Sequence, residues 1–553
     1  MACALLVSCS GGGGTYSAPP APPPPASIIQ SFSASPATIT AGQSSTLSWT
    51  LSGATSFSLS GVTATPANSI TVTPAATTTY TLTAIGPSGT FMQPVTVEVT
   101  SATPIGSAQV STLQPGTAIS PTFLGFSHEW TGAPTLMGSP ATGTNPIYRQ
   151  LVKNLLAYGG GPLIVRIGGN STDETGAPVA GVVAPEAQLA TDIGAKFTLG
   201  VNLGSDNVQL ATNQAAAYIP AMPSGSLLAI EIGNEPDLYA GNGDRAATYT
   251  VANYFQDFAT WRAAIEPLLP AGAGLMGPSW ASTSTLTNLS TFLSQESQYL
   301  AIVSQHYYAG TSCSGKTNPP DFLLGASEST SGPKDVASYV PLAHADNLPF
   351  RMGEMNSISC GGETGVSDTF ASALWSADIM FGFASVGVDG VNFHNGNGGA
   401  YALFQFNINT ATTPYTYSIE SIRPEYYGLL FFQQATAHGS KLLPGTLTTA
   451  ANLKVWATLD DTGNVRVALI NKDETATGVV TITLSGYGNA TVTRLLAPTY
   501  QSTSGITLGG QTFDGSTDGT AQGTAYGEIV APQNGIYTVA IGPTSAALVT
   551  VSP

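Results

Sequence analysis

Two glutamates occupy positions from which a pair of carboxyl groups could cleave a glycosidic bond. Glu235 lies in the segment LLAIEIGNEPDLY (227–239), and Glu354 lies in PFRMGEMNSISCGG (349–362). Each follows an apolar run of β-strand length and stands where turn-forming residues begin. Glycoside hydrolysis needs one protonated and one ionised carboxyl group on either side of the same bond. We therefore predict Glu235 to be the acid/base and Glu354, which polar residues follow, to be the nucleophile.

The two glutamates can meet only if the strands that carry them point in one direction. From about residue 121 the sequence alternates short apolar runs with long helical patterns. Continuous apolar runs are typical of parallel strands that are buried on both faces. Eight such repeats predict a (β/α)8 barrel over residues 121–435, with catalytic groups at the carboxyl ends of its strands. The predicted strands are 122–127, 163–167, 196–201, 227–232, 274–279, 301–308, 349–354 and 389–394.

Two β-rich regions flank the predicted barrel, and the chain of 553 residues is long enough for several domains. Residues 27–101 hold short alternating strands separated by turns, which predicts a β-sandwich with Trp49 in its core. Residues 436–553 predict a second sandwich, which a strand within 102–120 would join. The first sandwich resembles bacterial immunoglobulin-like modules, which usually space a domain from the cell surface. Carbohydrate binding is the alternative role.

Charged side chains are sparse and mostly acidic. The sequence has 15 Lys and Arg against 32 Asp and Glu, a net charge of −17, and no basic residue precedes Arg149. Binding of nucleic acid or of a highly sulfated polymer requires a basic surface, so this composition argues against both classes of partner. A surface of Ser, Thr, Gly, Ala and Asn predicts an exported bacterial protein, at the outer cell surface or in the periplasm.

The cysteines also favour export. The segment 6–9, LVSC, follows a short apolar start and precedes a Gly-rich and Pro-rich tether. Residues 1–26 therefore resemble the signal remnant and linker of a bacterial lipoprotein, with Cys9 as the lipidation site; a plain apolar tail is the alternative. In an exported protein Cys313 and Cys360, 47 residues apart, are expected to form a disulfide. Two free buried thiols are the alternative.

Further motifs resemble a known family. GNEPD after the fourth predicted strand, with a glutamate at the end of the seventh, is similar to the clan A glycoside hydrolases. RIGGNSTDET (166–175), QHYY (305–308) and GEMNSISCGG (353–362) are together similar to glycoside hydrolase family 79, the β-glucuronidase and heparanase family. The resemblance covers roughly residues 105–550.

The resemblance implies a retaining mechanism and a set of site residues. Glu235 would be the acid/base and Glu354 the nucleophile. Tyr307 would donate a hydrogen bond that keeps the nucleophile ionised, and Asn234 would bind the 2-hydroxyl of the sugar. The substrate-binding residues that the resemblance implies are Glu129, Asn170, Asp173, Tyr308, Cys360, Gly361, Gly362 and Tyr401.

An acidic sugar would be held mainly at its carboxylate. The resemblance assigns this carboxylate to Tyr401 and to the backbone N–H groups of residues 360–362. Ser359 stands where some relatives carry Tyr, which removes one contact. No basic residue follows the motifs closely except Arg351. We therefore expect neutral donors to hold the carboxylate, because a hydrogen bond to an ionised group is about twice as strong as one between neutral groups.

Several of these residues have a purely structural alternative. Tyr307 and Tyr308 are also suited to the core, Gly361-Gly362 is suited to a turn, and Asp173 is suited to a helix cap. These alternatives stay open on the sequence alone.

Three histidines, His128, His306 and His394, also stand at predicted strand ends. Their spacing matches no zinc-binding pattern. We therefore expect them to pack in the core or to hydrogen-bond behind the site, and we expect neither a metal nor a cofactor.

The sequence thus predicts an exported exo-β-glucuronidase that releases glucuronic acid, or its 4-O-methyl form, from non-reducing ends of glycans or from aryl glucuronides. An endo-acting heparanase-like enzyme is one alternative, which the acidic balance disfavours. A neutral-sugar β-glycosidase of the same clan is another. A non-catalytic surface glycan binder is the third, and the presence of both glutamates argues against it. The expected partners are the carbohydrate and, through Cys9, a membrane, and the oligomeric state stays open.

Overall fold

The computed structural model describes residues 28–174, 182–396 and 398–553. The predicted lipidation site, Cys9, lies outside the described residues. The described chain forms an N-terminal β module, a closed barrel and a C-terminal β domain. In the part of the chain that the structure covers, no helix has the length and apolar character needed to cross a membrane.

The N-terminal module consists of two sheets that fit an immunoglobulin-like arrangement. Three strands form one sheet in the order β1-β3-β5, and four form the other in the order β2-β7-β6-β4. Trp49 is buried between the sheets, where it meets Phe32 edge to face at 6.3 Å. The strands are β1 (Ile29–Ser35), β2 (Thr38–Ile39), β3 (Ser45–Leu51), β4 (Ser56–Leu59), β5 (Ser69–Val72), β6 (Thr78–Gly86) and β7 (Gly89–Val99).

Eight parallel strands close the predicted barrel. Their order is β12-β13-β14-β15-β16-β17-β18-β9, with β9 pairing again with β12. The next strand along the chain after β7, β8 (Pro104–Val110), lies outside the barrel. Strands β9 to β18 are β9 (Leu124–Glu129), the short hairpin β10 (Gly138–Ser139) and β11 (Gly143–Thr144), β12 (Ile164–Gly168), β13 (Lys196–Val201), β14 (Leu227–Ile232), β15 (Gly274–Trp280), β16 (Leu300–Thr311), β17 (Phe350–Ser359) and β18 (Gly390–His394).

Two barrel strands are longer than the sequence predicts. Strand β17 continues to Ser359, so that Glu354 lies within the strand, and β16 continues to Thr311. The two strands stay paired up to Thr311 and Ser359. They therefore form a two-stranded extension that stands above the mouth of the barrel.

Helices surround the barrel where the apolar spacing predicts them. The Asn145 side chain accepts hydrogen bonds from the first turn of α2, and Pro146 begins that helix. The helices are α1 (Ala133–Met137), α2 (Pro146–Leu156), α3 (Ser171–Glu174), α4 (Ala184–Ile193), α5 (Val208–Tyr218), α6 (Tyr239–Asn242), α7 (Val251–Ile265), α8 (Leu289–Glu296), α9 (Ser331–Val336), α10 (Val340–Ala345), α11 (Phe370–Ser385) and α12 (Pro424–Ala435). Short 3-10 turns cover Ile219–Ala221, Glu266–Leu268, Thr283–Asn288, Ser297–Tyr299, Cys313–Gly315 and Phe322–Leu324.

The C-terminal β domain follows a hairpin of β19 (Phe404–Asn409) and β20 (Thr416–Ile422). One sheet has the order β21-β23-β24-β30-β26-β27 with β28 also on β26, and the other has the order β22-β8-β25-β29. Strand β8 thus enters this domain before the chain forms the barrel. The strands are β21 (Lys441–Leu442), β22 (Gly445–Thr449), β23 (Leu453–Leu459), β24 (Val465–Asn471), β25 (Gly478–Thr483), β26 (Ala490–Leu496), β27 (Thr507–Leu508), β28 (Glu528–Val530), β29 (Ile536–Ile541) and β30 (Ser545–Val551).

Helix α11 joins the barrel to the C-terminal domain. It is apolar on nearly all sides and buried along almost its whole length, as expected for a helix packed on both faces. Phe381 stacks on Trp456 of β23 at 5.6 Å. Asp378 forms a buried ion pair with Lys472 at 2.8 Å and accepts from the Trp456 indole N–H at 2.8 Å. The barrel and the C-terminal domain therefore share one interface.

The N-terminal module is docked on the C-terminal domain. Val62 forms a β-bridge with Glu528, and the Tyr526 hydroxyl donates to the Thr71 carbonyl at 3.0 Å. Tyr526 also packs against the core of the module. Both partners contribute backbone groups to this seam, so the module is fixed against its neighbour.

Candidate active site

A cleft of about 980 Å³ lies at the carboxyl ends of the barrel strands. Both predicted catalytic glutamates line it. Two strands that are far apart in the sequence thus bring their carboxyl groups to one cavity. The other polar residues on its wall are Glu129, Asn170, Asn242, Ser282, Tyr308, Thr311, Cys313, Lys316, Ser359, Cys360, His394 and Tyr401.

The two carboxyl groups face each other across this cleft. One carboxylate oxygen of Glu235, one of Glu354 and one ring nitrogen of His306 all lie within 4.8 Å of one another. His306 Nδ1 is 3.0 Å from Glu235 Oε1. Glu235 therefore has an imidazole beside it. The Glu354 carboxylate lies close enough to Glu235 for both side chains to contact the same sugar ring.

Glu354 is held as a carboxylate by the groups around it. The Tyr308 hydroxyl donates to Oε1 at 2.7 Å, and Arg166 Nη1 donates to Oε2 at 2.5 Å. His394 Nδ1 lies 3.4 Å from Oε2. Burial by itself raises the pKa of the Glu354 carboxyl, but His394 and the Arg166 guanidinium outweigh burial and hold that pKa well below its usual range. Glu354 is thus ionised and poised as a nucleophile.

Arg166 connects four barrel strands beneath the cleft. It is fully buried on β12, and its Nε donates to Glu231 Oε2 at 2.7 Å. Its Nη1 also donates to Ser127 Oγ at 3.0 Å, and its Nη2 donates to Asn234 Oδ1 at 2.8 Å. The neighbouring carboxylates raise the pKa of Arg166 against the effect of its burial. The permanent positive charge of Arg166 therefore contacts both the nucleophile, Glu354, and Asn234, the residue before the acid/base.

Sequence reasoning missed this role of Arg166, although the residue lies in the motif RIGGNSTDET. The available signal was a charged side chain within the otherwise apolar run LIVRI (163–167). An arginine buried in a barrel strand needs an acidic partner. Here the acidic partners are Glu231 and the nucleophile, Glu354.

Glu235 follows β14 in a left-handed backbone conformation, with φ of 51°. Such a value is uncommon for a residue with a side chain and marks a position that the surroundings enforce. The Glu235 N–H donates to the Ser279 carbonyl at 3.1 Å, which holds the turn to β15. The Glu235 side chain remains about 16 % exposed and lines the cleft, so its carboxyl group can meet a leaving group there.

Asn234 is oriented by the groups behind it. Its Oδ1 accepts from Arg166, so its Nδ2 is directed away from the guanidinium and donates to Asn170 Oδ1 at 3.1 Å. An amide N–H group is thereby presented near Asn170 on the cleft wall, which is the donor that a sugar hydroxyl requires.

Asp173 does not line the cleft, contrary to the expectation that it binds sugar hydroxyls. Its Oδ1 accepts from the backbone N–H groups of Leu203 and Gly204, and its Oδ2 accepts from the Tyr239 hydroxyl and the Asn234 N–H. Both carboxylate oxygens are therefore used within the protein. Asp173 instead holds the turn that carries Asn234.

Tyr308, and not Tyr307, donates to the nucleophile. Successive residues of a strand point to opposite faces, so only one of the two neighbouring tyrosines can reach Glu354. Tyr307 turns to the outside of the barrel, where its ring meets Phe383 edge to face at 5.7 Å. Burial, with the charge of Glu354, raises the pKa of Tyr308 well above its usual value, so the phenol stays a donor.

Two of the remaining predicted binding residues, Glu129 and Tyr401, also line the cleft. Both oxygens of the Glu129 carboxylate accept hydrogen bonds from Asn170 and Ser171. The Tyr401 ring lies 6.2 Å from Tyr308 and 5.8 Å from His394. These contacts fix Glu129 and Tyr401 beside the nucleophile.

The loop after β17 is only partly exposed to the cleft. Cys360 and Gly361 line the cleft, and both have left-handed φ values, of 63° and 90°. Gly362 lies behind them, contrary to its predicted place in the binding site. A Cβ at Gly362 would lie 2.5 Å from the Tyr401 backbone N. A residue without a side chain is therefore needed here for the Tyr401 segment to pack closely.

A disulfide joins the ends of the two extended strands. Cys313 and Cys360 are bonded, with their Cα atoms 5.3 Å apart. In the residue before Cys360, the Ser359 hydroxyl donates to Thr311 Oγ1 at 2.8 Å. The cleft wall formed by β16 and β17 is therefore cross-linked at its tip.

The other two histidines differ in their relation to the site. His128 is fully buried, bonds the Asn395 carbonyl and the Tyr148 hydroxyl, and has its pKa lowered by burial to about 4. It is a neutral core residue. His394 lies beside the nucleophile, and the Glu354 carboxylate raises its pKa against the effect of burial.

Comparison with known proteins supports one family. A family model described as the glycosyl hydrolase family 79 C-terminal β domain matches residues 455–548. A β-glucuronidase from Aspergillus niger is 25 % identical over 454 residues, which are 71 % of this chain and 83 % of that relative. A β-glucuronidase from Neurospora crassa is 24 % identical over 350 residues, which are 55 % of this chain and 62 % of that relative.

Solved structures share the fold. A 4-O-α-L-rhamnosyl-β-D-glucuronidase from Fusarium oxysporum 12S aligns with a TM-score of 0.65 at 23 % identity, over 80 % of this chain and all of that chain. An arabinofuranosidase of family GH51 from Xanthomonas axonopodis pv. citri aligns with a TM-score of 0.62 at 14 % identity, over 81 % of this chain and all of that chain. These likenesses confirm the predicted fold, a barrel followed by a C-terminal β domain.

Proposed function

We propose that this chain, which belongs to glycoside hydrolase family 79, is a β-glucuronidase that cleaves its substrate by a retaining double displacement. The observation that carries the proposal is the approach of the Glu235 and Glu354 carboxylate oxygens to within 4.8 Å. Retaining glycosidases hold their two carboxyl groups ~5–5.5 Å apart, whereas inverting enzymes need ~6.5–9.5 Å to admit a water molecule.

The first step forms a bond between the enzyme and the sugar. A Glu354 oxygen attacks C1, the bond from C1 to the leaving oxygen breaks, and Glu235 gives its proton to that oxygen. In the second step the Glu235 carboxylate takes a proton from water, the water oxygen bonds to C1, and Glu354 leaves with the electron pair of its ester bond. Arg166 and Tyr308 stabilise the negative charge of Glu354 before attack and after release.

The acidic sugar is assigned from its relatives and from the donors on the cleft wall. Two relatives are β-glucuronidases by name. Tyr401 and the backbone of Cys360 and Gly361 supply neutral donors at one end of the cleft. We infer that they face C6 of a terminal glucuronate, including its 4-O-methyl form, so that the enzyme acts on non-reducing ends.

We also propose that the chain works outside the reducing cytoplasm. The disulfide between Cys313 and Cys360 supports this, because structural disulfides persist in oxidising compartments. Lipidation at Cys9 would tether the chain to a membrane.

The substrate class is tested with chromogenic glycosides. We expect the wild-type enzyme to hydrolyse 4-nitrophenyl β-D-glucuronide with a higher kcat/KM than the matching β-glucoside or β-xyloside. Proton NMR of the earliest product should show the β-anomer of glucuronic acid, because two displacements at C1 restore its configuration. A preference for either neutral sugar would refute the glucuronidase assignment, and an initial α-anomer would refute the retaining mechanism.

The two adjacent tyrosines provide a matched test of the hydrogen bond to the nucleophile. Tyr308→Phe should lower kcat/KM for the glucuronide by about 10- to 100-fold, because a hydrogen bond to a charged group contributes about 1.5–3 kcal/mol. Tyr307→Phe removes the same hydroxyl from the outer face of the strand and should change kcat/KM by less than about threefold. Steady-state kinetics of both variants measure the difference. Equal losses in the two variants would contradict the assignment of Tyr308.

A further inference from the structure

One lysine stands on the wall of a cleft that is otherwise acidic. Glu129, Glu235 and Glu354 all line the cleft. Among the described residues on that wall, Lys316 is the only lysine or arginine. Arg166 lies beneath the nucleophile, fully buried, and is not on the wall. An anionic sugar that enters the cleft therefore meets three acidic side chains and a single accessible permanent cation on the described wall.

Lys316 is placed close to the expected position of the sugar carboxylate. Its backbone N–H donates to the Cys313 carbonyl at 3.3 Å, and Cys313 is bonded to Cys360. The Cα atoms of the two cysteines are 5.3 Å apart. A lysine side chain is a flexible stem of four carbons that carries its ammonium group about 6 Å from Cα. Lys316, Cys360 and Gly361 all line the cleft, so this flexible stem can carry the ammonium group towards the donors at Cys360 and Gly361.

The Lys316 side chain is free to take this role. Lys316 is exposed, and no carboxylate in the described part of the chain forms an ion pair with it. The first acidic residue of the loop after β17, Glu363, accepts through Oε2 from the Asn318 backbone N–H and side-chain amide. The ammonium group is therefore available for a ligand.

The residue that could have offered a neutral alternative is occupied. The Ser359 hydroxyl donates to Thr311 Oγ1 at 2.8 Å. Its hydrogen is therefore used within the wall, although Ser359 lines the cleft. This leaves Lys316 as a donor on the same wall that has no ion-pair partner among the described residues.

We propose that Lys316 binds the C6 carboxylate of the glucuronate and makes the enzyme selective for acidic sugars. The disulfide positions the loop so that the ammonium group meets C6 and stays clear of the nucleophile. This inference rests on the proposed β-glucuronidase function, and it adds a cation to the neutral donors that are expected to hold the carboxylate.

The test compares a charged and an uncharged sugar in a neutralised variant. Lys316→Gln should lower kcat/KM for 4-nitrophenyl β-D-glucuronide about tenfold, mainly through KM, because a partly desolvated charge pair is lost. The same variant should leave kcat/KM for the 4-nitrophenyl glycoside of glucuronic acid methyl ester unchanged within about twofold. Lys316→Arg should retain most of the activity on the glucuronide. Added salt should raise KM of the wild type for the glucuronide and have less effect on Lys316→Gln.

Lys153→Gln is the matched control, because it removes one positive charge from the exposed side of α2, outside the cleft. It should leave both substrates unaffected. An equal loss on charged and methylated sugars, or no loss on either, would overturn the role of Lys316 while leaving the glucuronidase function intact. A wild-type enzyme that prefers the β-glucoside would overturn both. A loss confined to substrates with an acidic leaving group would place the lysine on the other side of the scissile bond and would also overturn the proposal.

Discussion

Glu354→Gln is expected to lower kcat for 4-nitrophenyl β-D-glucuronide on the order of 10⁴-fold, the scale seen when an essential member of a catalytic set is removed. The amide keeps the shape of the side chain, and its one oxygen can still accept from Arg166 while its NH2 group faces the Tyr308 hydroxyl. It cannot form the ester bond to C1, so the first displacement fails. Single-turnover and steady-state rates at saturating substrate measure the loss.

The control for this prediction is Glu266→Gln, which changes an exposed carboxylate at the outer end of α7. Its activity should equal that of the wild type. Circular dichroism and the unfolding midpoint should show that Glu354→Gln is folded. Retention of more than about one per cent of kcat would contradict the role of Glu354 and would move the nucleophile elsewhere in the cleft.

Arg166→Met is expected to destabilise the barrel by about 3–5 kcal/mol, the cost of leaving a buried charge without its partner. The change leaves Glu231 and Glu354 buried without the cation that both contact. The pKa of Glu354 then rises from its depressed value, because one of the charges that lower it is gone. The acidic limb of the pH profile of kcat/KM should therefore move to higher pH.

Two measurements separate these effects. The midpoint of urea unfolding gives the loss of stability, and the pH profile gives the shift of the nucleophile. Arg166→Met with Glu231→Met should be less destabilised than Arg166→Met alone, because the pair is then removed together. Arg149→Met breaks a different partly buried pair, with Asp192, and should lower stability without moving the acidic limb. An unshifted limb in Arg166→Met would show that Arg166 does not act on Glu354.

The parts of the site that follow strand ends could be predicted from the sequence. Apolar runs of strand length before Glu235 and Glu354 were sufficient to place both carboxyl groups on one cleft, because parallel strands end at one face of a barrel. The helix that begins at Pro146 could also be predicted, since a cap, a proline and apolar residues at helical spacing all indicate it.

Other parts depend on details that spacing does not contain. Two tyrosines in succession leave open which of them faces inward, and a shift of one residue exchanges the faces. This is why Tyr307 was predicted to donate and Tyr308 does so. Asp173 and Gly362 lie within site motifs, but their roles are to hold the backbone of Asn234 and to admit that of Tyr401.

The N-terminal module is joined to the C-terminal domain by a seam as well as by the chain itself. A domain that serves only as a spacer is attached through its linker alone, so it can be exchanged or removed without disturbing its neighbour. Here Val62 forms a β-bridge with Glu528, and Tyr526 packs against the core of the module, so the two units support each other. Removing residues 28–101 would therefore expose the face of Tyr526 that packs on the module.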